Sequence, residues 1–415
     1  MTSPAALPAS PGLSVRTTEI DDDHPLLTLL PPADDAVTWM RRDEGLVGWG
    51  VAAQIRPGGL TRFSDADKWW TETVARADIR DDVNEPGSGL VCFGSFAFAD
   101  DPGDSVLTVP RVVVGRRAGR TWLTLVDGAS YSGQGGAAEA PEDVVFSDGA
   151  MDGEHWMAVV AEAVRRITAG ALGKVVLARD LVATAAGRID VRWPLNRLAT
   201  SYPMCWTFHV DGLFGATPEM LVRRERGLVT SRVLAGTIRR TGDDERDLAQ
   251  AATLARSSKD HEEHEYAVRS VADALEPHCS SMIVPETPFV LHLPNVMHLA
   301  SDVAGVVHDA STVSSLQLAA SLHPSAAVGG TPTTEAVALI AEIEGMDRGR
   351  YAGPVGWMDT TGDGEWGIAL RSAELAGNTV RLFAGCGIVA DSDPEAELAE
   401  SQAKLVPVRD SLGAD

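Results

Sequence analysis

The chain has 415 residues, 44% apolar and 23% charged, and carries a formal net charge of −24. That is the composition of an ordinary globular protein, long enough for two or three domains or one large one built in two halves. So acidic a surface repels phosphate backbones, which argues against a nucleic-acid partner. No run of about 18 apolar residues suggests a membrane span.

Met1–Pro11 is small and proline-rich, without a basic region followed by an apolar one, and reads as a short frayed tail and not a secretory signal. Residues 1–148 are expected to form a mainly-β N-terminal subdomain. Its candidate strands are Ala36–Trp39, Leu46–Ala53, Leu90–Phe98, Val106–Gly115 and Thr121–Val126, with one helix over Asp65–Ala77 capped at Ser64. Ser130–Asp148, rich in Gly, Ala, Ser and acids, reads as a linker or exposed loop. Residues 149–415 carry the chemistry. A helix is predicted over Met151–Ala169, ending at Gly170, then a strand at Lys174, a strand over Cys205–Val210 and an apolar run over Leu213–Arg223. One long polar helix spans roughly Asp243–Glu276, followed by strands at Phe289–Leu293 and Val296–Leu299. Helices are expected at Thr312–Leu322 and Thr334–Glu344, strands at Gly353–Asp359, Glu365–Leu375 and Thr379–Cys386, and a last helix over Pro394–Val406. Strands and helices cluster and do not alternate, which argues for an α+β fold with large antiparallel or mixed sheets and helices packed outside. The four cysteines, Cys92, Cys205, Cys279 and Cys386, are scattered without CxxC spacing and read as reduced, mostly buried thiols of a cytoplasmic protein.

Only four of the 35 basic residues are lysines: Lys68, Lys174, Lys259 and Lys404. Arginine cannot give up its proton in a protein, whereas a buried lysine becomes a general base as desolvation lowers its pKa. Lys174 projects from the apolar, β-branched segment Gly173–Arg179 and reads either as such a base or as a lysine snorkelling from a strand end or paired with a carboxylate. Asp260 and Glu263 lie three apart on a predicted helix, as do Glu397 and Glu400. Each pair shares one helix face, either as solvated charge or, if the helices face each other, as oxygen ligands for Mg²⁺. His261 and His264 are three apart, not four, so this is not HExxH and zinc is not expected. Glu219 follows a proline at the head of an apolar segment. It is open to two readings: a residue favoured by a helix dipole, or a semi-buried acid with a raised pKa. Glycine-bearing turns at Gly236, Gly329–Gly330 and Gly385–Gly387 allow a ligand close to the backbone, but no nucleotide-binding pattern is present.

In this order, the segments GKVVLAR, TPEMLV, LAGTIRR, SSKDHEEHEYAV, MHLASDVAG, LHPSAAVGGTP, GPVGWMDTTGDGEWGIALRSAEL, LFAGCGIV and AELAESQAKL resemble the chorismate-utilising enzymes: isochorismate, salicylate, anthranilate and aminodeoxychorismate synthases. The likeness spans Met151 to Pro407 and is loose before it. It implies that family's fold. Water-adding members keep the lysine found here as Lys174; the aminodeoxychorismate branch carries a nucleophilic lysine in the block that here reads Leu234-Ala235-Gly236-Thr237, where none is present. The Gly362–Trp366 run and Ile368–Arg371 look most like isochorismate synthases. The resemblance implies an isomerase that turns chorismate into isochorismate for menaquinone or siderophore biosynthesis. Lys174 would be the base that activates water and Glu219 the acid that protonates the departing hydroxyl. Mg²⁺ would be held directly by Glu263 and Glu400, with Asp260 and Glu397 behind them through water. Arg371 and Lys404 would hold substrate carboxylates, in a pocket lined by Gly236, Thr237, His298, Ala327, Gly385 and Gly387. The alternatives are a salicylate synthase, which adds pyruvate elimination, and a non-catalytic chorismate-binding relative. The expected partner is the small molecule chorismate, with no nucleic acid and no membrane. No long apolar stripe marks an obligate interface, which points to a monomer.

Overall fold

The computed structural model describes residues 12–133, 135–292 and 296–413, without the side chains of residues 235, 237, 258–260 and 263. Up to residue 129 the chain forms β1 (Ser14–Ile20), β2 (Val37–Arg41), β3 (Glu44–Ile55), α1 (Arg62–Arg76), β4 (Asp78–Asp81), β5 (Val91–Ser95), β6 (Val106–Arg117) and β7 (Arg120–Val126). There follow β8 (Val145–Asp148), α2 (Gly153–Thr168), β9 (Lys174–Thr184), α3 (Arg192–Ser201), β10 (Trp206–Val210), β11 (Leu213–Thr217), β12 (Met220–Glu225) and β13 (Leu228–Arg239). Next are α4 (Asp244–Leu254), α5 (Ser258–Leu275), β14 (Cys279–Ile283), β15 (Phe289–His292), β16 (Val296–Val307), α6 (Ser315–Ser321) and β17 (Gly330–Thr331). The chain closes with α7 (Thr333–Ile343), β18 (Pro354–Asp359), β19 (Gly364–Ile368), β20 (Ser372–Ala376), β21 (Thr379–Ile388) and α8 (Pro394–Ser411).

Following the hydrogen bonds, one sheet runs β4–β1–β7–β6–β3–β2–β10–β11–β20–β21–β9, with β8 and β17 on the far edge of β9. A second leaves β6 through β5 and runs β18–β19–β12–β13–β16, with β14 and β15 beyond. Only β1–β4 is parallel. The two sheets share a core of Trp39, Phe93, Trp122, Phe208 and Trp357 with smaller side chains. α2, α3 and α8 pack on the first sheet; α4, α5 and α6 pack on the second. The architecture is α+β, with helices outside two layers of sheet. Strands from both sides of residue 148 pair with each other, β2 with β10 and β5 with β18.

Several boundaries differ from the sequence-based expectation for local reasons. The long polar helix is two: α4 stops at Leu254 and α5 starts at Ser258. The break covers residues 255–257 and ends on Ser257, a residue type whose hydroxyl competes with helical backbone bonding. The Leu213–Arg223 run breaks at Pro218–Glu219, and the Glu365–Leu375 run breaks at Ala369–Arg371. The last helix continues through Pro407, since Leu405, Val408 and Leu412 are buried and hold the turn beyond the bond that proline removes. α3 is not among the expected elements; it carries Pro194 in its first turn, where no N–H is needed. Leu293 lies outside the described residues. All four cysteines are free thiols, Cys279 half-buried and the others buried. Among the described residues no helix is long and apolar enough to cross a membrane.

β18 joins the two halves of the second sheet. Gly356 sits between Gly94 of β5 and Trp366 of β19, and a Cβ there would stand 1.9 Å from the Glu365 carbonyl oxygen. Gly356→Ala is expected to lower stability by about 1–3 kcal/mol or more by overpacking. The check is the urea midpoint of unfolding, which would not move if the contact were slack.

Candidate active site

The chain crosses from the first sheet to the second at Pro218–Glu219, between β11 and β12, and back at Ala369–Arg371, between β19 and β20. The crossings run side by side. Ile368 N donates to Glu219 O at 3.1 Å and Ala216 N to Arg371 O at 3.2 Å. A cavity of about 260 Å³ opens here, lined by Lys174 of β9, Glu219 and Arg371 of the crossings, His298 of β16, and Glu400 and Lys404 of α8. Gly236, Ala327, Gly385 and Gly387 complete the lining from the backbone side.

Glu219 is 8% exposed. Burial pushes its carboxyl up to about 7, against the pull of Lys174 and Lys404, which favour the charged form. Near neutrality this side chain therefore holds a proton much of the time, which decides between the two sequence readings in favour of a buried acid. Lys174 is not at the centre of a buried strand. It opens β9, half-buried, opposite Thr331. Gly387 lies beneath it: a Cβ there would stand 2.8 Å from Lys174 Cε and 3.4 Å from Nζ. This is the close approach for which a glycine is needed.

His298 is pushed down to about 4 by burial, with Arg371 and Lys404 adding to the effect, so its ring is neutral at pH 7. It bonds the backbone of Gly236, the left-handed residue (φ +75°) at a bulge in the β13–β16 ladder. Arg371 has a positive φ of 50° at its crossing, and burial holds its guanidinium below the usual value. Lys404 Nζ donates to Gly385 O at 2.8 Å and pairs with Glu400 Oε1 at 2.6 Å.

The Cys386 thiol and the carboxylates of Glu397 and Glu400 offer atoms within 4.8 Å of one another. Burial, then the charge of Glu400, raises Glu397, while Ser392 Oγ donates to its Oε1 at 2.8 Å. Burial opposes ionisation of Glu400, but Lys404, Arg371 and Arg239 outweigh it and its pKa falls. Cys386 is pushed up to about 12 by burial and stays a thiol. The donor set is thus hard oxygen with mutual repulsion that a divalent cation would relieve, and it suits Mg²⁺ better than a thiophilic metal.

Ten of the fourteen sequence-predicted site residues therefore line one cavity: Lys174, Glu219, Gly236, His298, Ala327, Arg371, Gly385, Gly387, Glu400 and Lys404. Glu397 stands behind Glu400 outside that lining. The side chains of Thr237, Asp260 and Glu263 lie outside the described residues. The helix that carries the last two is fixed by its neighbour His264, 2% exposed, whose Nε2 bonds Ser301 Oγ of β16 at 2.8 Å. Sequence reasoning missed Arg348, Tyr351 and Phe383, which also line the cavity. Tyr351 stacks on Phe383 with centroids 5.0 Å apart. The available signal was a tyrosine, one of only four, in the charged loop Asp347–Tyr351.

A family model described as "Chorismate binding enzyme" matches residues 13–129 and 129–413. Isochorismate synthase MenF of Bacillus subtilis is 36% identical over 269 residues, which is 64% of this chain and 57% of that protein, so the alignment spans little more than half of the relative. The salicylate biosynthesis isochorismate synthase of Pseudomonas aeruginosa is 32% identical over 444 residues, 97% of this chain and 91% of that protein. The structure of MenF, the menaquinone-specific isochorismate synthase from Escherichia coli, superposes with a TM-score of 0.79 at 25% identity, covering 99% of this chain and 97% of that one. With the family model matching it almost end to end, this chain belongs to the chorismate binding enzyme family.

Proposed function

We propose that the protein is an isochorismate synthase, an isomerase that exchanges the C4 hydroxyl of chorismate for a hydroxyl at C2. One pairing carries this reading: Glu219, held near pH 7 by burial, shares a small cavity with Lys174. Addition of water at C2 with loss of the C4 hydroxyl needs a base at one end and an acid at the other. Lys174 takes a proton from water as its oxygen bonds to C2. The ring double bonds shift, the C4–O bond breaks, and Glu219 protonates the leaving hydroxyl to water. One water enters and one leaves, so the step is an isomerisation. A binding module would need neither member of this pair.

Chorismate is a dianion, and the chain as a whole is strongly acidic. Arg371 and Lys404 supply local positive charge for its carboxylates, and the neutral ring of His298 leaves the bulged Gly236 backbone in place beside them. Glu400, with Glu397 behind it, fits Mg²⁺, and Glu263 is the second direct ligand in this reading. When bound, the ion supplies charge that holds and polarises the ring carboxylate. One similar structure is titled as menaquinone-specific and one relative is named for salicylate biosynthesis, and either route would consume the product proposed here.

Purified protein given chorismate and Mg²⁺ should reach a mixture of chorismate and isochorismate and stop, because the same acid and base run the exchange in both directions. A timed chromatogram with a lactate dehydrogenase couple for pyruvate is the measurement. Stoichiometric pyruvate with salicylate fluorescence would move the protein to the salicylate branch, and no turnover at all would leave it a binding protein.

Lys174→Ala should lower kcat about 10²–10⁴-fold or more with the fold intact, and Lys174→Arg should fail likewise, since guanidinium keeps its proton. Glu219 must be protonated to act, so kcat/KM should fall as pH rises through about 7. Glu219→Gln should lack that limb along with most of the activity. A Lys174→Ala enzyme with near-normal kcat, or a Glu219→Gln profile that keeps the limb, would refute these assignments.

EDTA should abolish turnover and Mg²⁺ restore it. Glu263→Gln and Glu400→Gln should each raise the Mg²⁺ concentration needed for half-maximal activity and weaken chorismate binding. Activity indifferent to EDTA, or restored by Zn²⁺ alone, would contradict a magnesium site.

A further inference from the structure

The edge of β9 that faces away from β21 is incomplete. β17 pairs with it at Lys174 and Val175, and β8 at Leu181–Thr184. Between those two short partners, among the described residues, no strand reaches it. The Val176 N–H still donates to the Gly329 carbonyl at 2.9 Å, and beyond that bond side chains take the place of a strand. Arg348 Nη2 donates to Val176 O at 2.7 Å, Ala178 N donates to Glu344 Oε2 at 2.8 Å, and Trp156 Nε1 donates to Ala178 O at 3.1 Å. Arg348 and Glu344 are 3% and 1% exposed and form a two-pronged ion pair, Nε to Oε1 and Nη2 to Oε2, both at 2.6 Å. Arg348 Nη1 donates to Val328 O at 2.9 Å, beside the cavity-lining Ala327. Four of the five donors of a guanidinium are thus spent on protein groups although Arg348 borders the cavity.

We infer that the buried Glu344–Arg348 pair is a positioning device. It holds the open edge of β9 and the Ala327 turn at a fixed separation and so sets where the Lys174 amine stands. The inference rests on the reading of Lys174 as the base. The tie at Val176 is two residues from Lys174, and an error of about 1 Å at a reacting group costs up to 10²-fold in rate. Burying an ion pair is a poor way to gain stability, because desolvation offsets the attraction and an apolar isostere often serves as well. The pair's geometric role is the one an isostere could not fill.

The experiment compares wild type, Glu344→Gln, Arg348→Met and the double variant. Arg348→Met leaves a buried lone carboxylate and should lower both Tm and kcat. The double variant removes that charge and should recover much of the Tm. Its kcat should stay about 10–100-fold down, with KM for chorismate within about threefold of wild type. A double variant that recovers stability and kcat together would show the pair to be structural only and overturn the proposal. If Arg348→Met cannot be purified, Glu344→Gln and the double variant decide the question by the same criterion. A second readout does not depend on turnover. Reductive ¹³C-methylation labels only four lysines, and Lys174→Ala identifies the Lys174 signal. That signal should shift in Glu344→Gln and in the double variant, while that of Lys68 on α1 stays. An unmoved Lys174 signal would also overturn the proposal. A shifted signal in a protein that never turns over chorismate would instead refute the functional reading and leave the positioning intact.

Discussion

Two adjacent segments of backbone cross from one sheet to the other, and the candidate site depends on that crossing. Backbone groups buried at such a point must find partners. They find them in each other, Ile368 with Glu219 and Ala216 with Arg371. Gly215 allows the approach, since a Cβ there would stand 2.5 Å from the Arg371 carbonyl. With main-chain polarity satisfied inside the ribbon, the two side chains at the turning points, one acid and one guanidinium, are left to line the cleft between the splayed sheets. The positive φ of Arg371 belongs to the same constraint, because a regular strand could not reverse sheets in so few residues.

The electrostatics of the cleft run against those of the whole chain. The protein is strongly acidic, yet the cavity gathers Lys174, Arg371 and Lys404 around a buried acid. Desolvation is what keeps Glu219 protonated despite two neighbouring ammonium groups. The same desolvation keeps His298 uncharged, which avoids adding a further cation beside Arg371 and Lys404. A dianionic substrate would then meet positive charge on several sides and a proton donor at one point.

Two helices carry the proposed metal ligands. α8 is anchored through Lys404 to the Gly385 carbonyl and through its Ala399 carbonyl to Arg239 of β13. α5 is anchored through His264 to Ser301. These three polar contacts are made by residues next to, or one turn from, the proposed metal ligands. The helices are therefore tied to the strands that line the cavity, and not merely packed against them.

Much was readable in order along the chain. The acidic pairs at a spacing of three, the lone lysine before a β-branched run and the glycine-bearing turns all express local chemistry. So do most strand positions, because alternation and turn residues are local signals. Other features were not readable. The runs Leu213–Arg223 and Glu365–Leu375 each read as one continuous segment, and the partner strands decide where each leaves one sheet for the other. The break between α4 and α5 and the continuation of α8 through Pro407 depend on what those segments pack against. Arg348 and Glu344 looked like ordinary charges at the end of a helix, and their burial against an incomplete strand edge exists only once β9, β17 and β8 are in place. Residue type and spacing marked groups able to do acid–base and metal chemistry, and the resemblance to the family supplied their expected roles. Only the tertiary structure decided that Glu219 keeps its proton near neutral pH, because a carboxyl's pKa depends on how much water the fold removes from around it.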